Sequence, residues 1–174
     1  DLQRFGFTEP IDIEVKGAGK PVIAQPKKWS GVSVAYLAHG YELKITPLHT
    51  LMFYNAVANN GKMVKPYLVD RIKEYDKTID STSTVVLQSK ICSDNTLRGL
   101  RQMLEGVVQN GTARNLKTDY LKVAGKTGTA VIARDNKGYI GNGKKVYQAS
   151  FCGYFPANEP QYSMIVVINS PTTN

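Results

Sequence analysis

The sequence predicts an α+β fold in which an antiparallel sheet is flanked by helices. Two segments, at residues 46–61 and 93–109, repeat apolar side chains at the spacing of an amphipathic helix. The last third of the chain instead carries short apolar runs that follow one another across turns. Strands linked so closely pair antiparallel, and helices that precede a run of strands are typical of an α+β layer arrangement.

Length and composition are those of one globular domain. The chain has 174 residues, of which 42% are apolar and 21% charged, and no apolar run reaches the length of a membrane span. The net charge of +8 favours anionic partners, but the basic residues are dispersed, and no basic stripe with interleaved aromatic residues indicates nucleic acid. Asp1 is not an initiator methionine, and we interpret it as a cut within a longer protein.

The cysteines and histidines do not indicate a redox or metal site. Cys92 and Cys152 are two cysteines whose spacing does not require a bridge, so we expect free thiols, with Cys152 as a small buried apolar residue. His39 and His49 have no metal-ligating partners in the sequence, so we expect neither a metal nor another cofactor. We interpret His49 as a surface or packing residue.

The first half of the chain is predicted to form loops and then one helix. Residues 1–32 are interrupted by glycine and proline and are expected to form long loops with short extended pieces. Thr46 and Pro47 suit the N-cap and the first position of a helix, and Asn60-Gly61 suits its end. The apolar positions of this helix are Leu48, Leu51, Met52, Phe53, Val57 and Ala58.

A strand region and a second helix follow. Residues 63–79 favour strands with a hairpin turn near Asp76-Lys77, and residues 85–87 favour another short strand. The second helix is predicted over residues 93–109, and Asn110-Gly111 ends it. Its apolar stripe consists of Leu97, Leu100, Leu104, Val107 and Val108.

Three strands complete the predicted sheet. They cover residues 121–131, 148–154 and 162–169, and a polar hairpin through Gly138, Gly141 and Gly143 joins the first two. The first strand therefore passes through the most informative segment of the sequence.

This segment, residues 125–129, reads Gly-Lys-Thr-Gly-Thr. Glycine weakens a strand, so Gly125 and Gly128 indicate that another group approaches the backbone closely. A phosphate-binding loop also ends in Gly-Lys-Thr, but it requires a glycine where this chain has Tyr120, and a helix after the motif. The remaining interpretation is the Lys-Thr-Gly strand of serine acyltransferases that react with penicillin.

Five further segments give this motif its context. They are residues 5–7, 40–48, 55–61, 106–113 and 149–157. Together with the motif, and in this order, they resemble class B penicillin-binding proteins along nearly the whole chain. The sequences of these segments are most similar to those of cell-division transpeptidases of the Bacteroidota.

The resemblance implies a partial penicillin-binding, β-lactamase-like transpeptidase fold, of which residues 1–174 form the C-terminal part of one domain. It implies an enzyme whose serine attacks the penultimate D-Ala carbonyl of a peptidoglycan stem peptide, releases the last D-Ala and passes the acyl group to an amine. The D-Ala-D-Ala end, or a β-lactam that mimics it, is then expected to bind at Lys126, Thr127, Gly128 and Thr129. In this interpretation Lys126 and the Thr129 backbone N–H, one half of an oxyanion hole, are the catalytic groups.

The resemblance also implies where the complete protein acts. It is expected to face the periplasm from an N-terminal membrane anchor and to contact divisome proteins. None of these expectations comes from the composition of the chain.

The catalytic serine is expected outside this chain. None of its serines has a lysine three positions later, so the Ser-x-x-Lys and Ser-x-Asn motifs are expected upstream of Asp1, and the chain alone is expected to be inactive. Ser93-Asp94-Asn95 spells the second motif, but these residue types favour N-caps, and we interpret Ser93 as the cap of the second helix. Two alternatives stay open: a non-catalytic penicillin-binding sensor or pseudoenzyme, and a serine β-lactamase.

Overall fold

The structure is a computed structural model that describes residues 2–23, 26–132 and 146–171. The described part of residues 1–32 consists mostly of loops, as predicted. β1 (Val22–Ile23) is one of the short extended pieces expected there, whereas its antiparallel pairing with β2 (Leu43–Lys44) and helix α1 (Ser33–Ala38) were not predicted. Elements this short are unstable alone, so tertiary contacts determine them rather than a periodic pattern in the sequence.

Helix α2 (Pro47–Ala58) begins where the sequence predicts it, with Thr46 at the N-cap. The Thr46 hydroxyl does not cap a backbone N–H, however, because it lies 2.7 Å from Nδ1 of His49. Nε2 of the same ring lies 2.9 Å from the Glu9 carbonyl oxygen, and the His49 side chain is fully buried. His49 is therefore a packing residue that fastens the N-terminal segment to α2.

The segment after α2 forms two separate strand pairs. β3 (Met63–Val64) pairs antiparallel with β6 (Val86–Gln88), and β4 (Arg71–Glu74) pairs with β5 (Lys77–Ser81) across the turn predicted near Asp76. All residues of β4 and β5 are exposed. The predicted strand region is correct at both of its ends, whereas residues 65–70 between them are not strand.

Helix α3 (Asp94–Asn110) has the predicted bounds to within one residue at each end. The Ser93 hydroxyl accepts a hydrogen bond of 3.2 Å from the backbone N–H of Thr96, so Ser93 is the N-cap.

Helix α2 also ends as predicted, since Asn60 and Gly61 take positive φ angles of 52° and 81°. Glycine at the second of these positions adopts this conformation without strain.

The sheet consists of β7 (Ala124–Ile132), β8 (Val146–Phe155) and β9 (Tyr162–Asn169), all antiparallel and in that order. β7 begins three residues later than predicted, because the Thr118 hydroxyl bonds both the carbonyl and the N–H of Leu121 and holds a turn there. The predicted glycine-rich hairpin lies outside the described residues. Within the described part of the chain, β7 is one edge of this sheet.

A single core joins α2 and α3 to one face of the sheet. Arg101 of α3 fastens the two helices together, because its guanidinium donates to the Val57 and Ala58 carbonyls over 3.0 and 2.6 Å. Both cysteines are free thiols, and Cys152 is buried, as predicted. No helix in the described residues is long and apolar enough to cross a membrane. The buried core consists of Met52, Ala56, Val57, Met63, Ile91, Leu97, Ala124, Tyr154 and Ala157.

Candidate functional site

The four motif residues occupy the middle of β7, where every one of them is paired with β8. Side chains alternate along a strand, so Lys126 and Gly128 share one face of the sheet, and Thr127 and Thr129 share the other. Lys126 and Thr129 are exposed, while Thr127 and Gly128 are half-buried. The partners of residues 126, 127, 128 and 129 on β8 are Cys152, Phe151, Ser150 and Ala149.

A hydrogen-bonded cluster forms around the Thr127 hydroxyl. The Lys126 ammonium donates to the Thr127 carbonyl over 2.7 Å and to the Thr127 hydroxyl over 3.2 Å. The Thr127 hydroxyl also lies 2.7 Å from the hydroxyl of Thr112, which follows α3. One cation and two hydroxyls therefore meet at the exposed edge of the sheet, and this is a set of donors suited to an anionic group.

Thr112 was not among the site residues predicted from the sequence. The sequence indicates residues 106–113 through their resemblance, and it predicts Asn110-Gly111 only as the end of a helix. The proximity of Thr112 to Thr127 depends on how α3 packs beside β7, which no local pattern in the sequence reveals.

The glycines of the motif do have close neighbours, and those neighbours belong to β8. A Cβ added to Gly125 would lie 2.5 Å from the Phe151 ring and 2.6 Å from the Cys152 carbonyl oxygen. A Cβ added to Gly128 would lie 2.6 Å from the Ser150 hydroxyl oxygen. The close approach predicted from the sequence is thus present within the sheet, and an approach of substrate to Gly128 stays a prediction.

A cavity of about 430 Å³ opens beside Lys126, between β7, β8 and the first half of α2. Its walls include Gly128, Ser150, Cys152 and Tyr54. Burial raises the pKa of the Cys152 thiol to about 12 and that of the Tyr54 hydroxyl to about 12, so both groups are neutral at pH 7. The charged side chains that line this cavity are those of Lys44 and Lys126, and Cys152 is not a nucleophile here.

A second cavity, of about 510 Å³, lies at the other half of β7. It is lined by Thr129 and the residues that follow it, and by the loop of residues 39–44. This loop belongs to the segment that carried part of the resemblance. The motif therefore lies between two concave surfaces, and Gly40, Leu43 and Lys44 line both of them.

The Ser93-Asp94-Asn95 sequence lies far from this cluster. Ser93 caps the N-terminus of α3, whereas Thr112, which touches the motif, follows the C-terminus of the same helix. A helix of 17 residues is roughly 25 Å long. Asp94 is also engaged elsewhere, in an ion pair of 2.5 Å with Lys90. The interpretation of Ser93 as a cap is confirmed.

Candidate metal-ligating side chains are not clustered among the described residues. No group of three or more His, Cys, Asp or Glu side chains that could hold a metal ion occurs among them. The His39 ring bonds the Ala35 carbonyl over 2.8 Å. The donors that the site offers are thus an ammonium and hydroxyls.

Comparison with known protein families gives one match over nearly the entire chain. The family is described as the penicillin binding protein transpeptidase domain, and it covers residues 2–174.

Two curated relatives show the extent of the similarity. Stage V sporulation protein D of Bacillus subtilis is 30% identical over 174 residues, which is 98% of this chain and 26% of that protein. A probable peptidoglycan D,D-transpeptidase, PbpC, of Pseudomonas aeruginosa is 32% identical over 173 residues, 98% of this chain and 28% of that protein. The chain thus spans little more than a quarter of the curated relatives it matches. The finer resemblance to Bacteroidota proteins stays a prediction.

Solved structures share the fold. Penicillin binding protein 3 of Mycobacterium tuberculosis in its apo form superposes with a TM-score of 0.82 at 25% identity, over 99% of this chain and 40% of that one. The same protein complexed with ampicillin gives a TM-score of 0.80 at 26% identity, over 98% and 38%. The α+β fold with helices against an antiparallel sheet is therefore confirmed as a partial penicillin-binding fold.

Proposed function

The chain belongs to the penicillin-binding protein transpeptidase family, and from this premise we propose that it is the C-terminal part of a D,D-transpeptidase domain that cross-links peptidoglycan stem peptides. The observation that carries the proposal is the cluster on β7, in which the Lys126 ammonium and the Thr127 hydroxyl meet at an accessible strand edge. The names of the relatives and the ampicillin complex of a similar structure support the same function.

The edge of β7 is suited to an extended peptide. A peptide that adds alongside a sheet edge gains main-chain hydrogen bonds, while nearby side chains select its end. The terminal carboxylate of a D-Ala-D-Ala stem is an acceptor-only anion, and Lys126 and the hydroxyls of Thr127 and Thr129 are donors that match it. The Thr129 backbone N–H would then supply one donor of the oxyanion hole.

The reaction has two acyl-transfer steps. The hydroxyl oxygen of a serine forms an ester bond with the penultimate D-Ala carbonyl carbon, the peptide C–N bond breaks, and the terminal D-Ala leaves with the proton on its amine. An amine of a neighbouring stem then attacks the ester carbonyl, an amide forms, and the serine regains its proton. A β-lactam undergoes the first step in the same way. The nitrogen of its broken amide bond stays attached to the acyl group, so it does not leave the enzyme.

The serine of this reaction lies outside the chain in our proposal. No serine among the 174 residues has a lysine three positions later, and Ser93 is occupied as a helix cap. The Ser-x-x-Lys and Ser-x-Asn motifs would therefore be supplied by the preceding part of a longer protein. That protein would act on the periplasmic side of the bacterial inner membrane, held by an N-terminal anchor and in contact with divisome proteins.

The longer protein provides the test. It should be incubated with a stem pentapeptide ending in D-Ala-D-Ala and an amine acceptor, and the products followed by mass spectrometry. We expect loss of one D-Ala and formation of the amide, both abolished by prior incubation with ampicillin. Labelling by a fluorescent penicillin on a denaturing gel should report the acyl-enzyme directly.

The same two assays separate the alternatives. Stable penicillin labelling without any peptide turnover would identify a sensor or pseudoenzyme. Rapid hydrolysis of the penicillin would identify a β-lactamase. If neither labelling nor turnover occurred, the proposed function would be wrong.

A further inference from the structure

A fixed turn at the end of α3 places Thr112 next to Thr127 of the motif. The backbone N–H groups of Gly111 and Ala113, on either side of Thr112, both donate to the Val107 carbonyl over 3.1 Å. Ala113 is fully buried, and a Cβ added to Gly111 would lie 2.8 Å from the Val107 carbonyl oxygen. Only glycine fits this turn, so the backbone at Thr112 is held in place, and with it the Cβ that carries the hydroxyl.

The hydrogen atoms of the cluster can be counted. A threonine hydroxyl has one hydrogen to donate and two lone pairs to accept with, whereas the Lys126 ammonium can only donate. The Thr127 oxygen accepts from Lys126, and the two hydroxyls share one hydrogen between Thr112 and Thr127. In either direction of that bond, one of the two hydroxyl hydrogens remains available to an outside acceptor.

Either hydroxyl can be the donor in this bond, and the two directions leave different hydrogens available. Thr127 is half-buried beside the ammonium, while Thr112 is exposed at the turn. If Thr112 donates, the Thr127 oxygen accepts twice, and its own hydrogen points away from both partners. A hydroxyl held in this way presents its donor in a fixed direction next to a positive charge, and such preorganisation strengthens binding of an anion.

We propose that Thr112 is a positioning residue that orients the Thr127 hydroxyl for the carboxylate of the ligand. This inference rests on the proposed function for the nature of the ligand. Thr112 acts through Thr127 and does not touch the reacting atoms. A purely structural role, in which Thr112 only ties α3 to β7, makes a different prediction.

The test uses the longer protein with its threonine methyl groups labelled for NMR. It is titrated with N-acetyl-D-alanine, which has the carboxylate, and with N-acetyl-D-alaninamide, which lacks it. Thr112→Val removes the hydroxyl and nearly keeps the shape, and Thr112→Ser keeps the hydroxyl. Thr118→Val is the matched control, because its hydroxyl bonds Leu121 in the preceding loop and not the motif.

We expect Thr112→Val to weaken binding of the acid by about fivefold to tenfold, the scale of the one hydrogen bond between neutral groups that it removes. Binding of the amide should stay unchanged, Thr112→Ser should bind the acid like the wild type, and Thr118→Val should leave acid binding unchanged. Equal weakening of acid and amide would reveal a structural role, and no weakening would remove Thr112 from the site. Either result overturns the proposal.

Fluorescent-penicillin labelling of the same samples keeps this inference separate from the proposed function. If the acid binds in a Thr112-dependent way but no acylation occurs, Thr112 orients the site and the transpeptidase assignment fails. If acylation occurs but Thr112→Val binds the acid like the wild type, the function stands and the role of Thr112 is wrong. If the wild type neither binds the acid nor acylates, both are wrong.

Discussion

The position of the Lys126 ammonium depends on Thr127, the next residue of the same strand. The lysine is exposed, yet its ammonium is held by two oxygens of Thr127 rather than extending freely into solvent. The sequence alone predicts a role for Lys126, because the glycines around it would weaken a strand that had only a structural role, and this role stays a prediction. The sequence was not sufficient to identify Thr112, whose role depends on a contact made 15 residues away along the chain.

At this scale we predict that Lys126→Ala in the longer protein lowers the rate constant of penicillin acylation by about 10²–10³-fold, the usual cost of losing one preorganised electrostatic contact. The loss has two causes, since the ammonium both attracts the carboxylate and holds the Thr127 hydroxyl. Stopped-flow acylation with a fluorescent penicillin measures it. Lys122→Ala, an exposed lysine just before β7, is a control with the same charge change. An acylation rate within a factor of about three of the wild type would exclude β7 as the substrate strand.

At the scale of elements, periodicity predicted the long helices and strands, whereas local propensities located the short strands β3 to β6 only in part and missed α1. α2, α3 and the three strands of the main sheet were predicted because many residues contribute to each pattern. Residues 65–70 were assigned to strand because valine and tyrosine favour strands, whereas the actual pairing joins β3 to the distant β6. The sequence also gives no indication of the register of β7 on β8, which places Gly125 opposite Gly153.

That register leads to a prediction about glycine. Gly125→Ala should destabilise the protein by about 1–3 kcal/mol, because its Cβ would overlap the Cys152 carbonyl oxygen and the Phe151 ring, neither of which can move without disturbing β8. Gly99→Ala is the matched control. It lies within α3 with no neighbour within 4 Å of the added Cβ, and it should stabilise by about 1 kcal/mol. Urea unfolding of both variants measures the difference, and equal effects would contradict the register.

Ser93 provides a second prediction at this scale. Ser93→Ala removes the hydroxyl that accepts the Thr96 N–H and should lower the free energy of unfolding by about 0.5–2 kcal/mol. Acylation of the folded protein should remain nearly unchanged, because Ser93 lies at the end of α3 remote from the motif. Ser93→Asn, which keeps a capping side chain, should restore most of the stability. A large kinetic loss without a loss of stability would contradict the role of Ser93 as a cap.

At the scale of the whole molecule, the site is assembled from segments that are far apart in sequence. The loop of residues 39–44, the start of α2, the turn after α3 and the middle of β7 all meet around the motif. On the other face of the sheet, Met164, Val166 and Ile168 of β9 are 39–53% exposed. An apolar sheet face of this kind is typical of a surface that more protein covers, in agreement with a chain that spans about a quarter of its relatives' length.

The last prediction is that the 174-residue chain alone forms no covalent adduct with penicillin. A serine becomes a nucleophile only when a base lies within hydrogen-bonding reach of its hydroxyl. The Ser93 hydroxyl is engaged with the N–H and hydroxyl of Thr96, and the Ser150 hydroxyl, although it lines the same cavity as Lys126, donates to the Gly128 carbonyl over 3.4 Å. Neither hydrogen bond supplies a group that can take up the hydroxyl proton.

The measurement is a denaturing gel after incubation of the chain with a fluorescent penicillin, beside the longer protein as a positive control. A cooperative urea transition of the chain must accompany it, so that the absence of a band reports chemistry and not unfolding. We expect a band for the longer protein only. A covalent band on the 174-residue chain, mapped by mass spectrometry to Ser93 or Ser150, would place the nucleophile within this chain. It would then overturn the division of the site between β7 and an upstream serine, because one chain would hold both the acylated group and the strand that binds the carboxylate.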